Sequence, residues 1–307
     1  MTVLHHIFEP GFFGSEPVHR ALLVGAIAAL VAGPLGVFTV VRGQSFAGEA
    51  LGDIGTTGGS GAYLVGVGPL WGFVVFNVAA VTVMELIGVQ RRRGRDLATG
   101  VVLGSGLGLA ALFLYLDATH QSTTGTTVTV LFGSLFSVSS ATVPIAIAVA
   151  AAVLVSLLVI GRPLLLASAN PELAAARGIP IRLIGYAHLL ALSLAVALCA
   201  VTIGSILSTA LLVGPAASAL RVSARPVVAM ATAAALGIAV TWVGVLLAYD
   251  SYAWPPHGQG WPVSFFVVSL VLVVYLACGV VSRVIHRRRT AAPAAAEPHD
   301  PRSLVAG

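Results

Sequence analysis

Along the chain, apolar residues gather into nine runs separated by short polar or arginine-bearing links. The runs cover about 19–41, 45–66, 69–88, 97–117, 142–162, 183–203, 205–221, 226–248 and 262–284. Most approach the roughly 20 residues that a helix needs to cross the hydrocarbon core of a bilayer. The second and seventh are rich in glycine and polar residues, so they are expected as broken or half helices, or as segments that do not span simply. The pattern predicts an all-α fold, a polytopic transmembrane helical bundle of about 8–9 spans with some broken or re-entrant.

Composition sharpens this picture. Only 9% of the 307 residues are charged, while 58% are hydrophobic. That is too few charges to cover a soluble domain of this length. The net charge of +5 rests on arginine alone, because the chain has no lysine. A Walker-type phosphate loop requires a lysine, so ATP hydrolysis by that route is excluded. Arg91, Arg92, Arg93 and Arg95 follow the third run, and Arg177 and Arg182 precede the sixth. Arg221 and Arg225 link the seventh and eighth, and Arg283, Arg287, Arg288 and Arg289 close the ninth. With nine spans all these groups fall on one side, which the positive-inside rule assigns to the cytoplasm, with the N-terminus outside and the C-terminus inside. They read as cytoplasmic loops of a multi-pass protein of the cytoplasmic membrane, not as a nucleic-acid surface.

Three parts are expected: an extracytoplasmic N-terminal segment over 1–18, a transmembrane domain over 19–285, and a disordered cytoplasmic tail over 286–307. Glu9 and Glu16 precede the first run where a signal peptide would carry positive charge, so that run is kept as a mature helix. Segment 118–141 opens with Thr123, Thr124, Thr126 and Thr127 and is expected as an outer loop with a short re-entrant piece. Segment 250–262, with Trp254, Pro255, Pro256, His257 and Trp261, reads as an outer loop with an aromatic interfacial anchor. Cys199 and Cys278 lie in apolar runs and read as small buried hydrophobes.

Ionisable residues inside the runs are few, and each is costly in lipid. Glu49 and Asp53 stand four residues apart in the second run. On a helix both carboxylates project from one face. Two acids so close repel each other unless a cation or proton lies between them, and oxygen ligands suit manganese and can serve zinc. The plain structural alternative is that Glu49 caps a helix and Asp53 bonds nearby threonines or backbone. The stretch Gly55–Gly61 beside them reads as a tight packing surface. His188, inside the sixth run, is a weaker metal candidate, and hydrogen bonding to a neighbouring helix is its plainer role. Asp117 and His120 end the fourth run, where they would face the outer mouth. Asn170-Pro171-Glu172 opens a short helix that Gly178 stops, on the cytoplasmic side. It reads either as a connector or as a docking element for another protein.

Three places resemble the permeases of ABC transporters for zinc and manganese, over about residues 20–285. Arg42-Gly43-Gln44-Ser45-Phe46-Ala47-Gly48-Glu49-Ala50-Leu51-Gly52-Asp53 is similar to that family's R-x-x-S-[FL]-x-G-D-A-L-S-H. Asn170-Pro171-Glu172-Leu173-Ala174-Ala175-Ala176-Arg177-Gly178-Ile179 resembles its D-P-E-x-A-x-x-x-G-[IL] coupling segment. The stretch from Val201 to Ala219, with Gly204, Leu207, Ala210-Leu211-Leu212 and Pro215-Ala216-Ala217, looks like its V-G-x-L-L-V-x-A-L-L-I-x-P-A-A-T-A. The resemblance implies a homodimeric pore, two cytoplasmic ATPase subunits and an extracytoplasmic metal-binding protein. It implies no bound cofactor, a transported divalent metal, and ATP hydrolysis in a partner chain. Glu49 and Asp53 align with the family's path-facing Asp and His, and Asn170, Pro171, Glu172, Arg177 and Gly178 with its ATPase-coupling segment. Both path residues depart from the pattern. The all-oxygen pair is harder than one containing imidazole and less selective for zinc, which leaves zinc and manganese both open.

A secondary transporter that uses Glu49 and Asp53 as a proton or cation relay is the second reading. A membrane protease is excluded by its missing groups. No serine has glycine at both −2 and +2, and no H-E-x-x-H occurs.

Overall fold

The computed structural model describes residues 12–86, 92–120, 129–133, 135–205, 207–254 and 260–291. Among them there is no strand. The helices are α1 (Glu16–Val41), α2 (Ser45–Val65), α3 (Pro69–Leu86), α4 (Arg92–His120), α5 (Thr142–Ala169), α6 (Pro171–Ala176), α7 (Ile181–Ile203), α8 (Ser208–Val222), α9 (Pro226–Asp250) and α10 (Val263–Ala291). Seven of them, α1, α3, α4, α5, α7, α9 and α10, are long and apolar enough to cross a membrane. The second run forms the 21-residue α2 and the seventh the 15-residue α8. At 1.5 Å per residue α8 is only about 22 Å long, short of the roughly 30 Å hydrocarbon core.

Every one of the nine runs has thus become a helix, but the two polar ones differ in how. Helix α2 is unbroken, and its glycines serve close packing. A Cβ on Gly58 would lie 2.1 Å from the carbonyl oxygen of Gly72 in α3, and one on Gly72 would lie 1.9 Å from that of Gly58. The two backbones touch directly, as small residues permit between membrane helices. The seventh run starts later than its hydropathy suggests. Gly204 adopts φ +87 and ends α7, and α8 begins only at Ser208.

The gap between α7 and α8 is covered from the outer loop. Residues 129–132 are helical and press against it, and Gly133 with φ +74 meets Gly204 so closely that a Cβ on Gly133 would stand 2.4 Å from the Gly204 nitrogen. The Ser205 N–H donates to the carbonyl of Val130 at 3.2 Å. A backbone donor exposed by the break is therefore satisfied by the inserted segment, as a helix interruption in lipid requires. A short helical piece thus lies within the segment 118–141, at residues 129–132. Residues 121–128, with the expected Thr123, Thr124, Thr126 and Thr127, lie outside the described residues.

Side-chain contacts fix the two ends of the bundle. At one end Arg20 reaches the Val138 carbonyl, Phe12 packs edge-on to Tyr249, and Trp254, Trp261, Phe265 and Phe266 form a cluster of rings. Pro255, Pro256 and His257 of that aromatic loop lie outside the described residues. At the other end Arg42 meets Ser168 and Gly185, and Ala216 and Ala219 of α8 pack with Val37 of α1 and Ala229 of α9. Helices α1 and α7 form the centre and are mostly buried, whereas α4 and α5 are largely bare and line the edge. Cys199 is buried and Cys278 half-buried, and both are free thiols. Helix α10 continues to Ala291, and residues 292–307 lie outside the described residues.

The α2–α3 contact leaves no room for a side chain. Gly58→Ala is expected to lower stability by about 1–3 kcal/mol through overpacking, whereas Gly161→Ala, inside α5 where a Cβ meets nothing within 4 Å, does not lower it and raises it by up to about 1 kcal/mol. Thermal unfolding of the two purified variants in detergent checks the difference.

Candidate functional site

Helix α2 begins at the tight turn Arg42-Gly43-Gln44, in which Gly43 has φ +64 and the Gln44 N–H donates to the Thr39 carbonyl at 2.8 Å. Ala47, Ala50, Leu51 and Ile54 are buried. Glu49 and Asp53 fall on the remaining face, Glu49 exposed and Asp53 half-buried. The two carboxylates are close enough for each charge to act on the other. Asp53 stands about 12 Å along the helix from Ser45 at 1.5 Å per residue.

Neither acid performs the plain structural role weighed for it. The α2 N-cap is Gln44, without a side-chain cap bond, and Glu49 lies beyond the first turn. Thr57, one turn from Asp53, donates instead to the Gly106 carbonyl of α4 at 2.6 Å. Among the described residues neither carboxylate has a hydrogen bond or ion pair. Helix α2 thus carries two acids that no donor among the described residues matches, packed beside helices long and apolar enough to cross a membrane, where such groups are costly.

A buried polar knot lies directly behind them, and the sequence reading did not assemble it. Thr56 Oγ1 donates to Ser205 Oγ at 2.6 Å, and Ser205 Oγ donates to the Val130 carbonyl at 3.2 Å. Ser208 Oγ donates to the Ser205 carbonyl at 2.8 Å. A Cβ on Gly52 would meet Ser208 Oγ at 2.6 Å, so the first turn of the short helix α8 rests on α2 immediately beside Asp53. Position 52 must be glycine for that contact. The polar character of the seventh run was the signal available. What it lacked was the partner, because Val130 and Thr56 are 75 and 149 residues away from Ser205.

His188 does not join the acids. It is fully buried on α7, its ring packs edge-on to Phe38 with centroids 6.2 Å apart, and Arg42 lies within its electrostatic reach. Neither ring nitrogen has a hydrogen-bond partner among the described residues. No group of three His, Cys, Asp or Glu side chains among the described residues is placed to hold a metal. Asp117, near the end of α4, is 1% exposed, lies within electrostatic reach of Tyr63, and has no donor to either oxygen among the described residues. The side chain of His120 is outside the description.

The short helix forms as its residues predict. The side chain of Asn170 caps α6 by accepting the Leu173 N–H at 3.0 Å, Pro171 occupies the first turn, and Gly178 with φ +73 ends the segment after Arg177. Ala174 alone is buried, while Asn170, Glu172, Leu173, Arg177 and Gly178 are exposed. The six-residue helix is thus held at its base and bare on its outer side.

The family model described as the ABC 3 transport family matches residues 15–278. The chain belongs to that family. Membership makes it a membrane-embedded transport component rather than an enzyme, and it decides against the proton- or sodium-driven secondary transporter. Among curated relatives, the manganese transport system membrane protein MntC of Halalkalibacterium halodurans is 27% identical over 229 residues, which cover 74% of this chain and 77% of that protein. The high-affinity zinc uptake system membrane protein ZnuB of Haemophilus influenzae is 26% identical over 243 residues, 78% of this chain and 92% of that protein. The fold matches a chain of PsaBC from Streptococcus pneumoniae in complex with Fab, with TM-score 0.78, 22% identity, and coverage of 94% of this chain and 100% of that one. This ABC 3 family fold is therefore a multi-pass helical bundle of the cytoplasmic membrane.

Loss of the Asn170 cap bond should loosen α6 by about 1 kcal/mol. Hydrogen exchange on the Asn170→Ala variant is expected to rise at residues 171–176 and to stay unchanged in α7.

Proposed function

We propose that this chain is the pore-forming permease of an ABC importer that carries a divalent metal ion, manganese or zinc. The observation that carries the reading is the pair Glu49 and Asp53, two unmatched carboxylates on one face of α2 beside the start of α8. Carboxylate oxygens are hard ligands that suit manganese and accept zinc. The family and its manganese and zinc relatives support the same substrate class.

The pore is a homodimer. In a single copy Glu49 is exposed and α4, which flanks its helix, is largely bare. A lipid-facing carboxylate is costly, so a second copy covers this face and brings its own two acids toward the same path. The arginine-bearing end, with Arg42, Arg177, Arg221 and Arg225, faces the cytoplasm. Separate ATPase subunits dock there on α6 through the segment Asn170–Gly178, and an extracytoplasmic binding protein delivers the metal at the aromatic end. The cation enters from that end, passes the two acids of each copy while their charge replaces part of its hydration, and leaves between the arginine-bearing ends.

Uptake of radioactive manganese and zinc by cells or proteoliposomes containing the assembled transporter tests this. The double variant Glu49→Ala with Asp53→Ala is expected to abolish uptake while the ATPase subunits still co-purify. Uptake at the unmodified level in that variant removes both acids from the path.

A further inference from the structure

Arg42 ends α1 and binds parts of the chain that are far apart in sequence. Its Nε donates to Gln44 Oε1 at 3.1 Å, and its Nη1 donates to Ser168 Oγ, 126 residues away, at 3.2 Å. Its Nη2 lies 3.7 Å from the position a Cβ would take on Gly185. Both hydrogen-bond partners sit at a junction, and Gly185 is only a neighbour. Gln44 is buried at the N-cap of α2, and its carbonyl accepts the Gly48 N–H at 3.1 Å. Ser168 is in the last turn of α5, two residues before the Asn170 cap of α6, and its hydroxyl also donates to the Leu164 carbonyl at 2.6 Å. Gly185 stands near the start of α7, just after the link that follows α6.

The short helix α6 therefore follows directly on the end of α5 that this guanidinium holds, and the same guanidinium binds the N-cap residue of the helix bearing Glu49 and Asp53. The link between Arg42 and α2 is short and defined: two residues, one of them Gly43 with φ +64, in a turn closed by backbone bonds. A planar fork with several fixed donors suits such a junction better than a flexible ammonium. We propose that Arg42 is a positioning residue that carries displacement of α6 to α2, so that the state of the docked ATPase sets where Glu49 and Asp53 stand. This rests on the reading of α6 as the ATPase docking element. Arg42 touches no cargo. It acts through Gln44 on one side and through Ser168 on the other.

The test uses the complete transporter, permease with its ATPase and binding protein, in proteoliposomes, with metal uptake and ATP hydrolysis measured on the same vesicles. In Arg42→Gln the ATPase still co-purifies and hydrolysis persists, but metal moved per ATP falls by about ten-fold, as expected when a link between two sites is cut. Ser168→Ala, which removes one bond, lowers the ratio partway, and Arg42→Lys restores part of it. Gly185→Ala, an ordinary contact, leaves it unchanged. Should Arg42→Gln fail to assemble, Ser168→Ala carries the test alone. A ratio equal to the unmodified transporter in either variant, or a parallel loss of uptake and hydrolysis, overturns the proposal. Leu173→Asp on the exposed side of α6 checks the underlying reading separately: ATPase co-purification undiminished in that variant removes docking at α6, whatever the Arg42 ratio is.

Discussion

A carboxylate in hydrocarbon needs a cation, a proton or a donor, and α2 holds two carboxylates that no donor among the described residues matches. The cost of an unmatched intramembrane charge, several kcal/mol on insertion scales, is what the rest of the architecture answers to. Small residues let α3 and α8 press against the sides of α2, which leaves its acidic face to whatever passes or packs there. Were Glu49 and Asp53 matched by neighbouring hydroxyls, α2 would be an ordinary packed helix. The hydroxyls near them are instead engaged with each other or with backbone carbonyls, in the Thr56–Ser205–Val130 knot and the Thr57–Gly106 bond.

The same rule about unmatched polar groups explains the break between α7 and α8. Ending a helix inside the bundle frees backbone donors and acceptors, which lipid does not satisfy. The inserted segment around Val130 takes up one of them, and the Gly133–Gly204 contact lets the two backbones meet closely enough to do so. The result is a short helix whose first turn lies against α2 at Gly52, next to Asp53. Acid pair, half-length helix and inserted loop are thus one construction. Its parts come from three distant stretches of the chain.

How much of this was legible in the sequence follows from how local each signal is. The nine apolar runs all became helices, since a run of that length carries its own signal. The six-residue α6 was readable to within a residue or two, because Asn170, Pro171 and Gly178 act on the backbone within a single turn. The start of α8 was misplaced by three residues, Ser208 against position 205, because a left-handed Gly204 looks like any other membrane glycine in a list of apolar residues. The face shared by Glu49 and Asp53 followed from helical spacing alone. Their lack of partners did not, since it depends on where Thr57 and Thr56 send their hydroxyls. Least legible was Arg42. It resembles the arginines of the loops in sequence, and only the folded chain sets it between Gln44, Ser168 and Gly185.

Locating the metal itself is the most direct measurement of the central claim. Anomalous diffraction at the manganese edge from the assembled transporter is predicted to place the ion beside α2, with Asp53 and Glu49 oxygens at its nearest distance. Ions found only at other positions, with both carboxylates matched by protein donors, would contradict it.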